Sequence, residues 1–510
     1  MKKFFILYIA ICLTQLSCKK DFIILTPPDS YTANNYYKTE PQFRSALVAA
    51  YAPLRDVLVN DYLTSEMHSD NTVYQPLPSN RGTAIVEREN ISDFLSTSVN
   101  AYVAATWQHS YTGISRSNIV IERLLDANIP DAAKKNIDGQ AKFLRALNYF
   151  KLVRLFGGVP LFLKEVNKAE DAFKPRASVD EVYNQIIADA KDAIGELGVP
   201  AKFPQTGEAT KGAASLLLAE VYMVQKKWTD AETLLRSVTQ MGYDLLPDYA
   251  SVFNPANKNS KESIFEIQFL GGTILGATPN PLCFHFLPRS TDTKLLTGVV
   301  INNTATGGWN TPTTDLIGSY ESGDKRLDAS IGIVEGVYNG SNYFVYSAAK
   351  SVLNYTPAAG KMGVPYIKKY LHTVEDATGS SDDFPIYRYS DVLLLLAEAL
   401  NEQGKSSDAL IPLNKVRTRA GLVATTSTDQ SALRQIIYHE RRVELAFENH
   451  RWTDLLRTGT ALSVINAFGV AIKKELPFLS SDAYVLNDNS LLYPIPQTDI
   501  DLNPDIKQNP

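Results

Sequence analysis

Apolar side chains recur along this chain at helical spacing in several long runs. From Thr39 onward, Phe43, Leu47, Ala50, Tyr51, Leu54 and Leu58 fall about one turn apart, with Glu40, Pro41 and Gln42 at the start. That spacing and that first turn predict a helix. Residues 99–156 carry two further stripes: Trp107, Tyr111, Ile114, Ile121 and Leu125, then Phe143, Leu147, Phe150 and Leu155. The second ends at Gly157-Gly158-Val159-Pro160, a helix stop. Ser178, three residues before Glu181, predicts a capping box at the next helix start. Residues 64–98 break the pattern. They are polar, hold Pro76, Pro78 and Gly82, and read as a long surface loop of the kind that carries function. Residues 250–385 differ again, with Gly, Asn, Thr, Ser and Pro around short apolar runs. One run, Ser263 to Phe269, alternates like a strand. This region reads as loops and short strands inserted into a helical scaffold.

The helical runs contain a repeat. Ala219, Tyr222, Ala231 and Leu235 recur as Ala397, Leu400, Ala409 and Leu413, each displaced by 178 residues. Each copy reads as a helical hairpin, turning at Gln225–Trp228 and at Glu402–Lys405. A small Ala at the crossing lets the two helices approach, and the larger residue fills the adjacent layer. This resembles tetratricopeptide packing.

Composition narrows the class. In 510 residues, 45% are hydrophobic and 21% charged, which excludes a disordered chain and a polytopic membrane protein. A net charge of -5 leaves no basic field for nucleic acid. Three cysteines cannot staple a disulfide framework. Tyr is abundant, at 26 residues, and its flat ring with a polar tip suits wet binding surfaces.

The chain opens Met1-Lys2-Lys3, then a short apolar run to Leu13, then Thr14-Gln15-Leu16-Ser17-Cys18. A basic start and a run too short to span a bilayer predict a secretory leader, residues 1–17. Ser17 before Cys18 is similar to a bacterial lipoprotein cleavage site, with Gln15 where Leu is usual. Cys18 is therefore the expected lipid anchor, followed by a tether over residues 18–37 around Pro27-Pro28. Cys283 is expected to be a core thiol.

The C-terminal third carries a family resemblance. Phe384-Pro385-Ile386-Tyr387-Arg388-Tyr389-Ser390-Asp391-Val392-Leu393-Leu394 leads into Ala397-Glu398-Ala399-Leu400-Asn401-Glu402. Val416-Arg417-Thr418-Arg419-Ala420-Gly421 follows, then Glu440-Arg441-Arg442-Val443-Glu444-Leu445-Ala446-Phe447-Glu448-Asn449-His450-Arg451-Trp452. Tyr493-Pro494-Ile495-Pro496 closes the set. In this order the motifs resemble the SusD/RagB family of outer-membrane nutrient-binding lipoproteins. Many members have Ala at the place of Ser390 and Gly at the place of Asn449. The resemblance implies a mostly helical fold of tetratricopeptide-like hairpins. It also implies a SusC-like, TonB-dependent transporter barrel as partner, over which the protein acts as a lid. Its ligand would be glycan, or peptide in some branches, with no catalysis. The expected divisions are an N-terminal SusD-like helical region (38–249), a loop-rich ligand-binding region (250–385) and a C-terminal SusD/RagB region (386–510). Read from the residues alone, the mixed charges from Glu440 to Asp454 are scaffold or partner contact, because both signs satisfy one another.

No enzyme motif stands out. His439-Glu440 lacks the second His of H-E-x-x-H, no Cys pair is available for zinc, and neither a nucleophile elbow nor a phosphate loop occurs. No cofactor or metal site is predicted. A surface glycoside hydrolase would need two carboxylates across a cleft, for which Asp70 and Asp382-Asp383 are candidates, although loop carboxylates are mostly solvated.

Sugar binding needs an exposed aromatic ring for the apolar face and planar polar groups for the hydroxyls. Two segments fit. One spans His68 to Gln75 and continues to Arg81, with Asp70, Asn71, Tyr74 and Arg81 as candidates. The other spans Asn302 to Pro312, where Trp309 and Asn310 follow two glycines. Tyr343 and Tyr346 are weaker candidates, because four apolar or aromatic residues in a row read as a short buried strand. Trp107 and Trp228 read as core, and Trp452 as scaffold.

Overall fold

The computed structural model describes residues 36–77, 81–340, 343–372, 374 and 376–510. The leader, Cys18 and nearly all of the tether lie outside the described residues. The long apolar stripes are helices, α1 (Glu40–Tyr51), α2 (Pro53–Asp61), α4 (Ala101–Leu124) and α5 (Asp131–Phe156), and a helix without such a stripe, α3 (Thr83–Ser92), lies among them. Gly157 ends α5 at φ 73°, where a side chain would be strained. α6 (Val179–Glu196) opens with the Ser178–Glu181 capping box. No helix among the described residues is long and apolar enough to cross a membrane.

The repeat forms two antiparallel hairpins, α7 (Lys211–Val224) with α8 (Trp228–Val238) and α9 (Tyr389–Glu402) with α10 (Ser406–Arg419). Ala219, Ala231, Ala397 and Ala409 are fully buried at the crossings. Each turn passes through one left-handed residue, Lys226 (φ 56°) and Gly404 (φ 75°), and these too are displaced by 178. The hairpins dock on each other, with Lys405 Nζ 2.6 Å from the Glu232 carboxylate.

The inserted region holds strands. β2 (Ser263–Ile267) pairs antiparallel with β7 (Phe384–Arg388), and β4 (Ile331–Asn339) lies between β5 (Tyr343–Ser351) and β6 (Met362–Ile367). β2 is buried on both faces rather than one: Phe265 packs 5.0 Å from Phe143, while Glu266 accepts from the Asn259 amide. Burial pushes the Glu266 carboxyl up to about 7. Cys283 is buried as expected.

The reading of 64–98 as a surface loop is corrected. α2 runs on into a π-helical turn at Tyr62–Glu66, residues 61–75 are buried, and α3 occupies 83–92. Polar side chains are buried here because distant groups satisfy them. Glu66, for example, accepts from Asn71 Nδ2 at 2.8 Å and from the Phe447 amide at 2.8 Å.

Those groups belong to a charged interior built on α11 (Gln430–Glu444), the turn after it and α12 (Arg451–Thr458). Glu440, Arg441, Glu444 and Glu448 are buried. Arg388 reaches Glu444 at 2.7 Å and Glu448 at 2.6 Å, while Arg326 reaches Glu440 at 2.6 Å and Glu444 at 3.0 Å. Ser390 accepts a further bond from Arg388. Asn449 sits at φ 65°, the left-handed conformation that glycine adopts without strain, as expected if glycine can stand in its place. Helix α13 (Ala461–Glu475) follows. The C-terminal segment then returns to the first half of the chain. The Tyr493 amide donates to Leu155, the Gln497 amide to Ser98, and Arg176 to the Lys507 carbonyl at 2.7 Å and Asn509 Oδ1 at 2.7 Å.

Candidate functional site

The two segments chosen for sugar binding meet in space. β1 (Thr72–Val73) and β3 (Thr311–Pro312) form an antiparallel ribbon, with Thr72 opposite Pro312 and Val73 opposite Thr311. The Gln75 amide donates to the Gly308 carbonyl at 2.7 Å, and the Thr313 amide to Asn71 at 3.0 Å.

The ribbon turns its candidate side chains inward, which corrects the expectation of display. Trp309 is 0% exposed. Its glycines serve close approach: a Cβ on Gly308 would lie 2.9 Å from Gln75 Oε1 and 3.1 Å from the Arg289 side chain, at φ +79°. The chain therefore folds the indole under Gln75 and Arg289 and leaves it no free face. Asn310 is buried at φ 55° and accepts from Thr72 Oγ1 at 2.6 Å. Tyr74 is buried and donates to Asp93 Oδ2 at 2.9 Å. Asn71 is buried between Glu66 and Arg442, whose Nε donates to it at 2.9 Å.

Asp70 is buried in the charged interior, with Arg451 bidentate at 2.7 and 2.8 Å and Arg442 at 3.0 Å. Burial alone would raise its carboxyl, but the two arginines overcome that and hold it below its ordinary value. Arg81 alone of this group is exposed, and it ion-pairs with Glu89. Asp382 is buried against His372, and Asp383 accepts from the Phe269 amide at 2.7 Å and pairs with Lys258 at 2.9 Å. Neither is a solvated loop carboxylate. Tyr346 packs beside Phe344 with its hydroxyl donating to the Pro288 carbonyl, and Tyr343 is half-buried at the start of β5.

The accessible rings are others. Tyr338 is 38% exposed and its hydroxyl accepts from Gln75 Nε2 at 2.9 Å. Phe478 is 45% exposed with its ring 5.9 Å from Tyr74. They border a layer in which Tyr74 lies 6.3 Å from Trp309, and Arg88 is sandwiched between Tyr102 (4.6 Å) and Trp309 (5.1 Å). Exposed rings thus lie over a layer holding a planar amide and guanidinium groups, the chemistry that a pyranose face with its hydroxyl rim requires. Tyr338 had a readable signal: Val337-Tyr338-Asn339-Gly340 is a hairpin tip, where a ring is easily displayed. Phe478, in Leu476-Pro477-Phe478, had none.

One described cluster brings possible metal-ligand atoms within 4.8 Å of one another: Glu220, Asp391 and His450. Glu220 accepts from Tyr387 at 2.8 Å, Asp391 from Arg441 at 2.6 Å, and Arg154 lines the same cavity of about 70 Å³. Arg441 already pairs with Asp391 and the Tyr387 hydroxyl with Glu220, so the cluster reads as scaffold.

Known proteins agree with this architecture. Residues 261–510 match the SusD family, and residues 49–223 match a family described as starch-binding and associating with the outer membrane. The chain belongs to the SusD family. A SusD-like protein of Formosa agariphila is 27% identical over 90% of each chain. A laminarin-binding SusD-like protein of known structure superposes with a TM-score of 0.72 at 26% identity, covering 93% of this chain and all of the other. A surface glycan-binding protein A from Bacteroides thetaiotaomicron, solved with laminarihexaose, shares the fold with a TM-score of 0.73 at 22% identity, over 92% of this chain and all of the other.

Proposed function

We propose that this protein captures an oligosaccharide at the cell surface and delivers it, uncleaved, to a SusC-like TonB-dependent transporter in the outer membrane. The observation that carries the reading is the exposed Tyr338 ring, hydrogen-bonded to Gln75, on the family's scaffold. The laminarin-binding relative supports glycan as the ligand class. Non-catalytic action fits the state of the candidate carboxylates: Asp70 is held by two arginines, and Asp382 by His372. Cys18 is proposed as the lipid-anchored residue. A long glycan spans several weak subsites, so single sugars bind poorly while oligomers bind well.

The test is titration calorimetry on the detergent-solubilised full chain, with oligosaccharides and with peptides. Saturable heat from an oligosaccharide is expected, with Tyr338→Ala weakening it about tenfold, the loss of one stacked ring. Heat from peptides alone, or release of reducing ends, overturns the reading. Cys18→Ala should move the protein out of the membrane fraction.

A further inference from the structure

Among the described residues six arginines are buried: Arg145, Arg289, Arg326, Arg388, Arg417 and Arg441. Five of them meet a carboxylate oxygen at 2.6 Å, on Asp189, Glu440, Glu448, Glu321 and Asp391 respectively. Arg289 is the exception. It is 1% exposed, and no described carboxylate lies within ion-pair distance. Its Nη1 donates to the Gln75 carbonyl, and its Nη2 is buried without a hydrogen-bond partner. An unpaired charge in the interior is costly, which is why buried guanidinium groups almost always hold an anion.

Arg289 does not stand alone. Its guanidinium and that of Arg88 each lie 5.1 Å from the centre of the Trp309 ring. Arg88 likewise has no described carboxylate partner, and its Nε is buried and unpaired. Arg81 stands at the exposed rim. The nearby acids are engaged elsewhere, Glu89 by Arg81 and Asp93 by the Tyr74 hydroxyl. Burial pulls the Arg289 guanidinium down to about 10, with the Glu89 charge opposing only in part and Arg88 adding repulsion. This local excess of positive charge stands against a net charge of -5 for the chain. Around Arg289 lie the Gln75 carbonyl, which its Nη1 reaches, and Gly308, while the Gln75 side chain bridges to the exposed Tyr338 through Nε2 at 2.9 Å.

From this arrangement we infer that the oligosaccharide is acidic, its carboxylate or sulfate-ester group received by Arg289 and Arg88 behind Arg81 while a sugar ring stacks on Tyr338. This inference rests on the glycan reading above. The paired oxygens of a carboxylate or a sulfate ester match the guanidinium fork, and Arg289 offers the free Nη2 edge such a group would bridge.

The experiment is calorimetry on the full chain with three oligosaccharide series of equal length: neutral β-glucan, uronate-containing and sulfated. At least about tenfold tighter binding of an acidic series, lost severalfold between low and high salt, is expected for a charge-assisted contact. A response to one acidic series alone identifies the group as carboxylate or as sulfate. Arg289→Gln should bring the acidic-to-neutral affinity ratio close to one, with Arg88→Gln moving it the same way. The salt series on the unaltered protein decides the matter should either variant fail to fold. Neutral binding equal to or tighter than acidic binding overturns the inference and leaves glycan capture standing. Absence of heat from every glycan overturns both.

Discussion

Trp309 stands between Gly308 and Asn310, a setting that suggests display, yet its indole is enclosed by Arg88, Arg289 and Tyr74. Trp309→Ala should therefore cost about 3–5 kcal/mol of stability, the range for removing a buried aromatic, as read from urea unfolding. Asp93 makes a second prediction. Burial pushes its carboxyl up to about 7, with Glu89 adding repulsion and the Tyr74 hydroxyl opposing. The folded state thus holds its proton over a range where the unfolded chain has released it. That contribution is complete below the unfolded value near 3.8 and is lost as pH rises through about 7. Asp93→Asn should flatten this dependence and raise stability at pH 8 by roughly 1–2 kcal/mol, measured by denaturation at pH 5 and pH 8. At this scale the sequence located the neighbourhood and misjudged orientation. Residues 68–75 and 302–312 do converge, but which way Trp309 faces depends on Gln75 and Arg289, and neither lies in its local pattern.

Among elements, the two hairpins offer a paired comparison. Lys226 and Gly404 occupy the same turn position in the two copies, both left-handed. Lys226→Gly should stabilise the protein by about 0.5–1 kcal/mol and Gly404→Ala should destabilise it by about 1 kcal/mol or more, both read as shifts in the melting transition. The hairpins were legible because their packing is local: a small residue at the crossing, a turn, and the same residues again 178 positions on. The segment 64–98 was not. Its helix α3 lacks an apolar stripe, and its buried polar residues are satisfied by Phe447 and by Arg442 and Arg451, more than 370 residues away. A polar run reads as loop when its partners lie that far along the chain.

Across the whole molecule, the charged interior joins α11 to the inserted region. Glu444 receives Arg388, Arg326 and Arg419. Burial would raise its carboxyl, but these three guanidinium groups hold it far below the ordinary range. Glu444→Gln leaves three arginines, two of them buried, short of a partner and should cost about 3–5 kcal/mol. Because the folded value is depressed, the stability supplied by Glu444 is present above about 4.5, the ordinary carboxylate value, and is lost as pH falls; the variant should show a shallower acid transition by circular dichroism. The motif from Glu440 to Asp454 was readable as scaffold or partner contact, whereas Arg326, which lies outside every motif, was not. The return of the C-terminal segment has a consequence of a different kind. Tyr493, Gln497, Lys507 and Asn509 close hydrogen bonds onto Leu155, Ser98 and Arg176. Such pairings cannot form on a growing chain until residues 493–509 have left the ribosome. A ribosome that stalls before residue 493 therefore leaves a product whose first half lacks these bonds and is open to proteolysis.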